Sequence, residues 1–354
     1  MLRRDVQVLV AMALSVVVVA GVRRRSLATE TSGEDGQSYA PRRSVRMASL
    51  LALLTYAAWV VMTSRAKVMR AHWGHPIAAK AVATLCWAVG MLVGVRFAFK
   101  FDHGDGPFPS RERFVAAVGP HGVFPLSLLG FGAWGFREGL GSWSDPNLTP
   151  LDARIGGASV LFWVPFLREL LLLAGVRDAS RPNLMSLLAN GHTIAVNPGG
   201  IWEMVNSDHA QEKMYMQKNL GFVRIAMEAG LPLLPAYAFG ENQLFTTSRV
   251  GLGVRLWIAR KLRVGLPIFF GRWGLPWTLP RPTSVTFVVG RPVPVGPPNP
   301  NPTDAEVEAV FNRYVDEMCR IFRENAPLHL PKEVAARGLQ IHRIGRGVVR
   351  QSQL

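Results

Sequence analysis

Short apolar runs alternate with amphipathic segments from about residue 101 onward. The runs that predict buried strands lie at 113–118, 192–197, 231–240 and 284–290. The patterns that predict helices lie within 159–175, beginning near Pro165 and ending at Gly175, and over 221–230, ending at Gly230. Short β-branched strands that alternate with helices are typical of a parallel arrangement. The pattern therefore predicts an α/β fold with a mixed, mostly parallel sheet flanked by helices.

The strongest helical pattern covers residues 304–324. Thr303 and Glu306 have the spacing of a capping box, in which each side chain binds the other residue's backbone. Seven apolar side chains then recur at helical spacing on one face: Val307, Val310, Phe311, Tyr314, Met318, Ile321 and Phe322. An apolar face of this kind indicates packing against a core and not chemistry.

Three longer apolar stretches precede the alternating part, at about 6–22, 47–63 and 81–95. The first is short for a membrane span, which needs roughly 20 residues. We interpret it as a signal anchor, with a cleaved signal peptide as the alternative. The other two predict either two spans or one re-entrant hairpin. The fold is therefore expected to be preceded by N-terminal membrane helices.

These stretches define the expected domain organisation. Residues 1–100 form a membrane anchor region that contains a polar linker at 26–44. Residues 101–330 form the catalytic domain, and residues 331–354 a basic C-terminal tail.

Composition and charge favour a membrane protein. Hydrophobic residues make up 49% of the 354 residues, mean hydropathy is +0.17 and the net charge is +16. Basic residues flank the apolar stretches, which indicates contact with lipid headgroups or ordinary positive-inside bias. Nucleic-acid binding is not expected, because aromatic and basic residues are not interleaved as in a stacking platform. The two cysteines, Cys86 and Cys319, have no paired spacing, so no metal site is predicted.

His121 is the first candidate for chemistry. It stands in Gly119-Pro120-His121-Gly122, directly after the first predicted strand. A neutral imidazole can remove a proton from an alcohol that attacks a carbonyl group. Glycine beside it lets a bulky substrate approach the backbone. The alternative is a turn with an incidental histidine.

Two further segments place polar residues after predicted strands, where ligands bind in α/β sheets. Gly199, Gly200 and Glu203 follow the strand at 192–197, and Glu203 is the candidate to orient His121. A solvated glutamate on a turn is the alternative. Glu241 and Asn242 follow the strand at 231–240 and either line the site or hold a loop.

The ordered set of segments resembles the type-2 diacylglycerol acyltransferase family, which includes monoacylglycerol and wax-alcohol acyltransferases. Its blocks correspond, in order, to Gly119-Pro120-His121-Gly122, Pro165 with Arg168, Gly199-Gly200 with Glu203, residues 221–230, Phe239 to Phe245, and the strand and helix that end the catalytic part. Each block is weak by itself, whereas the ordered set is highly specific.

The resemblance implies transfer of a fatty acyl group from acyl-CoA, as co-substrate, to the free hydroxyl of 1,2-diacylglycerol, forming triacylglycerol. It implies His121 as general base and no metal or other cofactor. Pro120, Gly122, Arg168, Gly199, Gly200, Glu241 and Asn242 are the expected substrate-binding residues. The resemblance also implies that the protein is located in the endoplasmic reticulum membrane, with the catalytic part facing the cytosol, or on a lipid droplet. A monoacylglycerol or fatty-alcohol acceptor, a non-catalytic lipid-droplet scaffold and a homo-oligomer are left open.

This chain departs from the family pattern at several places, one of which is the missing Tyr-Phe-Pro segment ahead of the histidine. Gly119 stands where the family has its first histidine, and Asn219-Leu220 stands where it has a basic pair. In the wider group an aspartate often follows the histidine by five positions, and that position is Leu126 here. His121 must therefore be oriented by another group.

Overall fold

A computed structural model describes residues 88–102, 113–128, 153–164 and 167–352, together with helical positions at 50, 51, 54–56, 58, 81, 84 and 85. The apolar stretch at 6–22, the linker at 26–44, Pro165 and Cys86 lie outside the described residues. Among the described helices, none is long and apolar enough to cross a bilayer.

Seven strands form the central sheet of the described chain. They are β1 Val95–Phe101, β2 Val115–Gly119, β3 Ala153–Gly157, β4 Val176–Asp178, β5 Thr193–Val196, β7 Leu233–Phe239 and β10 Thr283–Val289. Their order is β1-β10-β7-β2-β5-β3-β4. β7, β2, β5, β3 and β4 run parallel, whereas β10 is antiparallel to β7 and parallel to β1. The predicted α/β class with a mostly parallel sheet is confirmed.

Most helices of the described chain lie between the strands or follow them. After β3 they are α1 Leu167–Leu173, α2 Arg181–Ala189, α3 Gly200–Asn206, α4 Gly221–Ala229, α5 Leu252–Leu262, α6 Asp304–His329 and α7 Lys332–Ala336, and further helical positions precede β1. The capping box predicted at Thr303 and Glu306 is present. All seven apolar residues of the predicted face of α6 are buried, and the helix continues past Pro327 to His329.

The core lies on both faces of the sheet because strand side chains alternate in direction. In β2, Val115 and Ala117 join the larger cluster, which includes α4 and α6 side chains. Ala116 and Val118 point to a smaller cluster on the other face. Both faces of β2 are therefore apolar, as expected of a central parallel strand.

The sheet extends beyond both expected domain boundaries. β1 lies almost wholly within the expected anchor region, because the apolar stretch at 81–95 ends in a turn at Gly94 and then becomes a strand. The expected C-terminal tail contains α7, β11 Leu339–Arg343 and β12 Gly347–Ser352. β11 pairs in parallel with β6, Glu212–Met216, and β12 pairs antiparallel with β11, so the three strands form a second sheet. β6 would otherwise expose unpaired backbone groups, so the C-terminal strands complete the domain.

Two short strands, β8 Thr246–Thr247 and β9 Phe269–Phe270, pair antiparallel in a third, two-stranded sheet.

Candidate active site

The carboxyl ends of β5, β2 and β7 are adjacent in the middle of the sheet. Ala117 pairs with Val196 of β5, and Gly119 pairs with Tyr237 of β7. The segments that follow these strands therefore emerge at one edge. Gly119 to Gly122, Gly199 to Glu203 and Glu241-Asn242, which are far apart in the sequence, are brought together there. The Asn197 side chain links two of them by donating to the Val118 carbonyl oxygen at 2.8 Å.

The His121 ring is oriented by its own loop. Its Nδ1 lies 3.1 Å from the carbonyl oxygen of Gly122. Because a carbonyl oxygen only accepts hydrogen bonds, Nδ1 carries the proton and Nε2 keeps its lone pair. Burial lowers the pKa of His121 below its ordinary value, against a smaller opposing effect of the backbone hydrogen bonds. The ring is therefore neutral at pH 7, with Nε2 as the basic nitrogen.

Glu203 holds the main chain of that loop and not the imidazole. Its Oε1 accepts a 2.8 Å hydrogen bond from the His121 backbone N–H. Its Oε2 accepts a longer one, 3.4 Å, from the Tyr215 backbone N–H. Glu203 is buried, and burial raises its pKa to about 8 although both hydrogen bonds oppose the shift. Glu203 thus has no hydrogen bond to the His121 ring, such as a direct orienting role would require. Its carboxyl group instead positions the backbone that carries the ring.

Gly199 makes room for this carboxyl. A Cβ atom on Gly199 would clash with the Glu203 carboxylate and would lie 2.5 Å from the Tyr215 carbonyl oxygen. Gly200 begins α3 with a φ of +50°, a backbone conformation that glycine adopts without strain. The Gly-Gly pair therefore lets α3 turn sharply out of β5 and place Glu203 beneath His121.

A second buried carboxyl, that of Glu241, holds the other end of the histidine loop. It accepts hydrogen bonds from the backbone N–H groups of Leu126 at 2.8 Å and Ser127 at 2.9 Å. Burial raises its pKa to about 7. A Cβ atom on Gly122, where φ is +61°, would lie 2.9 Å from the Glu241 side chain. Gly122 thus permits the close packing of the loop against Glu241.

Asn242 belongs to a polar network beside the site that centres on Glu212. The Glu212 carboxylate accepts from Tyr237 Oη at 2.6 Å, Asn242 Nδ2 at 3.1 Å and Gln243 Nε2 at 2.9 Å. The sequence reasoning missed Glu212. A signal was present, because Glu212 shares the inward, period-two positions of β6 with the buried Met214 and Met216.

Comparison with known proteins identifies the family. Residues 53–334 match the family described as "Diacylglycerol acyltransferase". The chain belongs to this family.

Several named relatives are similar to this chain over part of their length. Mouse "Acyl-CoA wax alcohol acyltransferase 2" is 31% identical over 61% of this chain and 66% of its own. Human "2-acylglycerol O-acyltransferase 3" is 30% identical over 61% and 65%. "Diacylglycerol O-acyltransferase 1" of Eremothecium gossypii is 29% identical over 60% and 47%. The chain thus spans about two thirds of the animal relatives and about half of the fungal one.

One solved structure also aligns. It is the crystal structure of the 1-acyl-sn-glycerophosphate (LPA) acyltransferase PlsC from Thermotoga maritima. The TM-score is 0.39 and the identity 18%, over 67% of this chain and 78% of that chain.

The structure gives a physical account of one departure from the diacylglycerol acyltransferase pattern. Gly119 stands in place of the first histidine of the family's block. A Cβ atom on Gly119 would clash with the terminal methyl group of Met214, whose side chain is fully buried. Met214 therefore occupies the space that a side chain at position 119 would need.

Arg168, expected from the family's proline–arginine helix, lies in α1 and is almost completely buried. Its ion pair, at 4.0 Å, is with the neighbouring Glu169, which also accepts from Tyr56 Oη at 2.6 Å. α1 adjoins β4 at the outer end of the sheet order. Pro120 is buried within the histidine loop. Contact of either residue with acyl-CoA stays a prediction.

Proposed function

We propose that this chain is an acyl-CoA-dependent O-acyltransferase that esterifies the hydroxyl group of diacylglycerol, with His121 as general base. The observation that carries the proposal is the hydrogen bond between His121 Nδ1 and the Gly122 carbonyl oxygen. It leaves Nε2 as a free, neutral base at the carboxyl edge of the sheet. Membership of the diacylglycerol acyltransferase family supports acyl transfer as the reaction.

In the proposed reaction, Nε2 of His121 takes the proton of the acceptor hydroxyl as its oxygen attacks the thioester carbonyl carbon. The tetrahedral intermediate collapses, the carbon–sulfur bond breaks, and the CoA thiolate takes the proton back from the imidazolium. The pKa of His121, lowered by burial, suits this cycle because the ring starts neutral and returns a proton readily. The balance of atoms and charge is complete without a metal or a covalent enzyme intermediate.

The negative charge on the intermediate needs hydrogen-bond donors. Backbone N–H groups near Gly122 and Gly199-Gly200 are the candidates. The Gly200 N–H already donates to the Asn197 carbonyl oxygen at 3.1 Å, so Gly122 and Gly199 are the stronger ones. Glu203 and Glu241, which hold both ends of the His121 loop, keep its backbone in place for this task.

The acceptor is a neutral lipid alcohol that reaches the site from a membrane. The relatives named above include enzymes for wax alcohols, 2-acylglycerol and diacylglycerol, so a fatty alcohol and monoacylglycerol are the competing acceptors. We place the chain at the endoplasmic reticulum membrane or a lipid droplet, with the catalytic part toward the cytosol, where acyl-CoA is available.

The experiment that tests the function is an acceptor panel. Microsomes that carry the chain receive labelled oleoyl-CoA with diacylglycerol, monoacylglycerol, a fatty alcohol or lysophosphatidic acid. Triacylglycerol as the main product is expected. A different ester would keep the chemistry and overturn diacylglycerol as acceptor. If no acceptor gives a product although the protein is inserted in the membrane, the proposed enzymatic activity is contradicted and a non-catalytic membrane scaffold is favoured.

A further inference from the structure

Residues 246–281 form one locally bonded insert between β7 and β10. Its first strand pairs with β9 in the β8–β9 ladder, and the Arg281 backbone N–H at its other end donates to the Leu244 carbonyl oxygen at 2.9 Å. The buried guanidinium of Arg255 in α5 joins the segment before the helix to the segment after it. It donates to the carbonyl oxygens of Ser248 at 2.5 Å, Val250 at 3.1 Å and Leu266 at 3.5 Å. The insert is therefore a defined surface element and not a loose loop.

The outer face of this insert is apolar and aromatic. On α5 and just before it, exposed apolar side chains recur at helical spacing, at Val250, Val254 and Trp257. The turn after β9 exposes Trp273, 75% accessible, and Trp277, 69% accessible, with Leu275 between them. None of these side chains is buried in the core, so core packing does not explain why they are apolar. Exposed apolar clusters on a folded domain mark interaction surfaces.

The charge of the same insert has one sign. Residues 242–303 contain no Asp or Glu. The basic residues within 246–281 are Arg249, Arg255, Arg260, Lys261, Arg263, Arg272 and Arg281. Arg260, Lys261 and Arg263 are exposed at the end of α5. Tryptophan beside lysine and arginine is the composition of a surface that lies in the headgroup region of an anionic bilayer.

The insert is also continuous with the parts of the chain that a lipid substrate must reach. Phe124 of the histidine loop packs edge-on against Phe269 of β9, with ring centroids 5.3 Å apart. Arg272 of the insert lies beside Gly94. Gly94 follows the exposed apolar residues Val89, Met91 and Leu92 in the sequence. The apolar stretch at 81–95 and the insert thus meet on one side of the domain, next to the His121 loop.

We propose that residues 246–281 form a second membrane-docking surface, which lies in the interface of an anionic bilayer without crossing it. Trp257, Trp273 and Trp277 enter the headgroup region, and Arg260, Lys261 and Arg263 bind anionic headgroups. This surface goes beyond the proposed function, because it concerns where the domain meets the membrane and not which alcohol is acylated. Its consequence is that a lipid can pass from the bilayer to the histidine loop along Phe124.

The test places a fluorescent reporter on the insert of the full chain. Val254→Cys is labelled with nitrobenzoxadiazole in a Cys86→Ala/Cys319→Ala background. The matched control is Leu328→Cys, because Leu328 is an apolar residue of α6 with 72% accessibility, outside the insert. Both proteins are reconstituted in phosphatidylcholine vesicles with or without phosphatidylserine. Quenching by doxyl-labelled lipid and by aqueous iodide is then measured.

The proposal expects lipid quenching and iodide protection at position 254 with phosphatidylserine, and the reverse at position 328. Replacing Arg260, Lys261 and Arg263 by Gln should lower the docking equilibrium about fivefold for each charge removed. Replacing the exposed Arg323 and Lys332 by Gln should leave it unchanged. Iodide access at position 254 in all vesicles would overturn the proposal. Protection from iodide without lipid quenching would also overturn it, and would assign the surface to a protein partner or a second copy.

The readout is independent of turnover. If the protein makes no ester but shows lipid quenching at position 254, the docking surface is supported and the proposed function is contradicted. If the protein turns over acyl-CoA normally while position 254 stays accessible to iodide, the proposed function is supported and the docking surface is contradicted.

Discussion

The carboxyl Oε1 of Glu203 accepts a 2.8 Å hydrogen bond from the backbone N–H of His121. This contact joins the segment after β5 to the segment after β2. With Glu241, which holds Leu126 and Ser127 from the β7 side, it fixes both ends of the histidine loop. The imidazole itself is oriented by the Gly122 carbonyl oxygen. The site is thus built from backbone contacts to two buried carboxyl groups.

Glu203→Gln and Glu203→Ala should separate the charge of this carboxyl from its hydrogen bond. Because burial raises the pKa of Glu203 to about 8, the group is largely neutral at pH 7. A glutamine carbonyl can accept the same bond from the His121 N–H, so Glu203→Gln should keep acyltransfer within about tenfold of wild type. Glu203→Ala leaves the N–H unsatisfied and should cost about 1–3 kcal/mol of stability with a larger loss of rate. The measurements are initial rate and thermal midpoint in detergent. Equal losses of rate in both variants would mean that the negative charge is needed.

The stability of the protein should depend on pH through Glu203. Its pKa is about 8 in the folded chain and near 4.5 when unfolded, so the folded state binds the proton more tightly. The stabilising effect is fully present below pH 4.5 and is lost as pH rises through 8. The thermal midpoint of wild type should therefore fall relative to Glu203→Gln between pH 5 and 9. A constant difference across that range would show that the group ionises normally.

Gly199→Ala should disrupt the site through the space that Glu203 occupies. The added methyl group would clash with the carboxylate and approach the Tyr215 carbonyl oxygen. Overpacking of this kind costs about 1–3 kcal/mol. The control is Gly253→Ala in the first turn of α5, where an added Cβ meets nothing within 4 Å and should not destabilise the protein. Denaturant unfolding measures both, and a neutral Gly199→Ala would contradict the geometry.

Gly119→His, which introduces the first histidine of the family's block, should be poorly tolerated unless Met214 is shortened. Gly119 does not have a positive φ, so the obstacle is the Met214 side chain and not the backbone. Met214→Ala alone removes a buried side chain and should cost about 2–5 kcal/mol. In the double variant the two changes should compensate by about 0.5–3 kcal/mol, as measured in a double-mutant cycle. Strictly additive losses would show that Met214 is not the obstacle.

The local features of the fold were predictable from the sequence, whereas those that depend on distant pairing were not. The capping box at Thr303 and the buried face of α6 follow from residues within one helix. Strands β2, β5, β7 and β10 follow from short apolar runs. β1 was not predicted, because the apolar stretch before Val95 is continuous with the strand. The pairing of β11 with β6 joins segments more than a hundred residues apart, and no local pattern indicates it.

The site shows the same division. The motif order predicted that His121, Glu203 and Glu241 belong together, and the adjacency of β5, β2 and β7 brings them to one edge. The sequence could not show that Glu203 binds a backbone N–H and not the imidazole, since either contact fits the same spacing. The roles of Glu212 and Met214 could not be predicted, because the neighbours of a strand residue are determined by how the strands pair and pack in the folded protein.

The most direct test of the account is the rate of acyl transfer by His121→Ala. Wild type, His121→Ala and His329→Ala are compared in the same proteoliposomes with labelled oleoyl-CoA and the preferred acceptor. His329 packs against the Phe239 ring at the end of α6 and serves as a matched histidine outside the loop. The account predicts a loss of about 10²–10⁴ for His121→Ala with an unchanged thermal midpoint, and a near-normal rate for His329→Ala. A near-normal rate for His121→Ala would contradict the assignment of His121 as the general base.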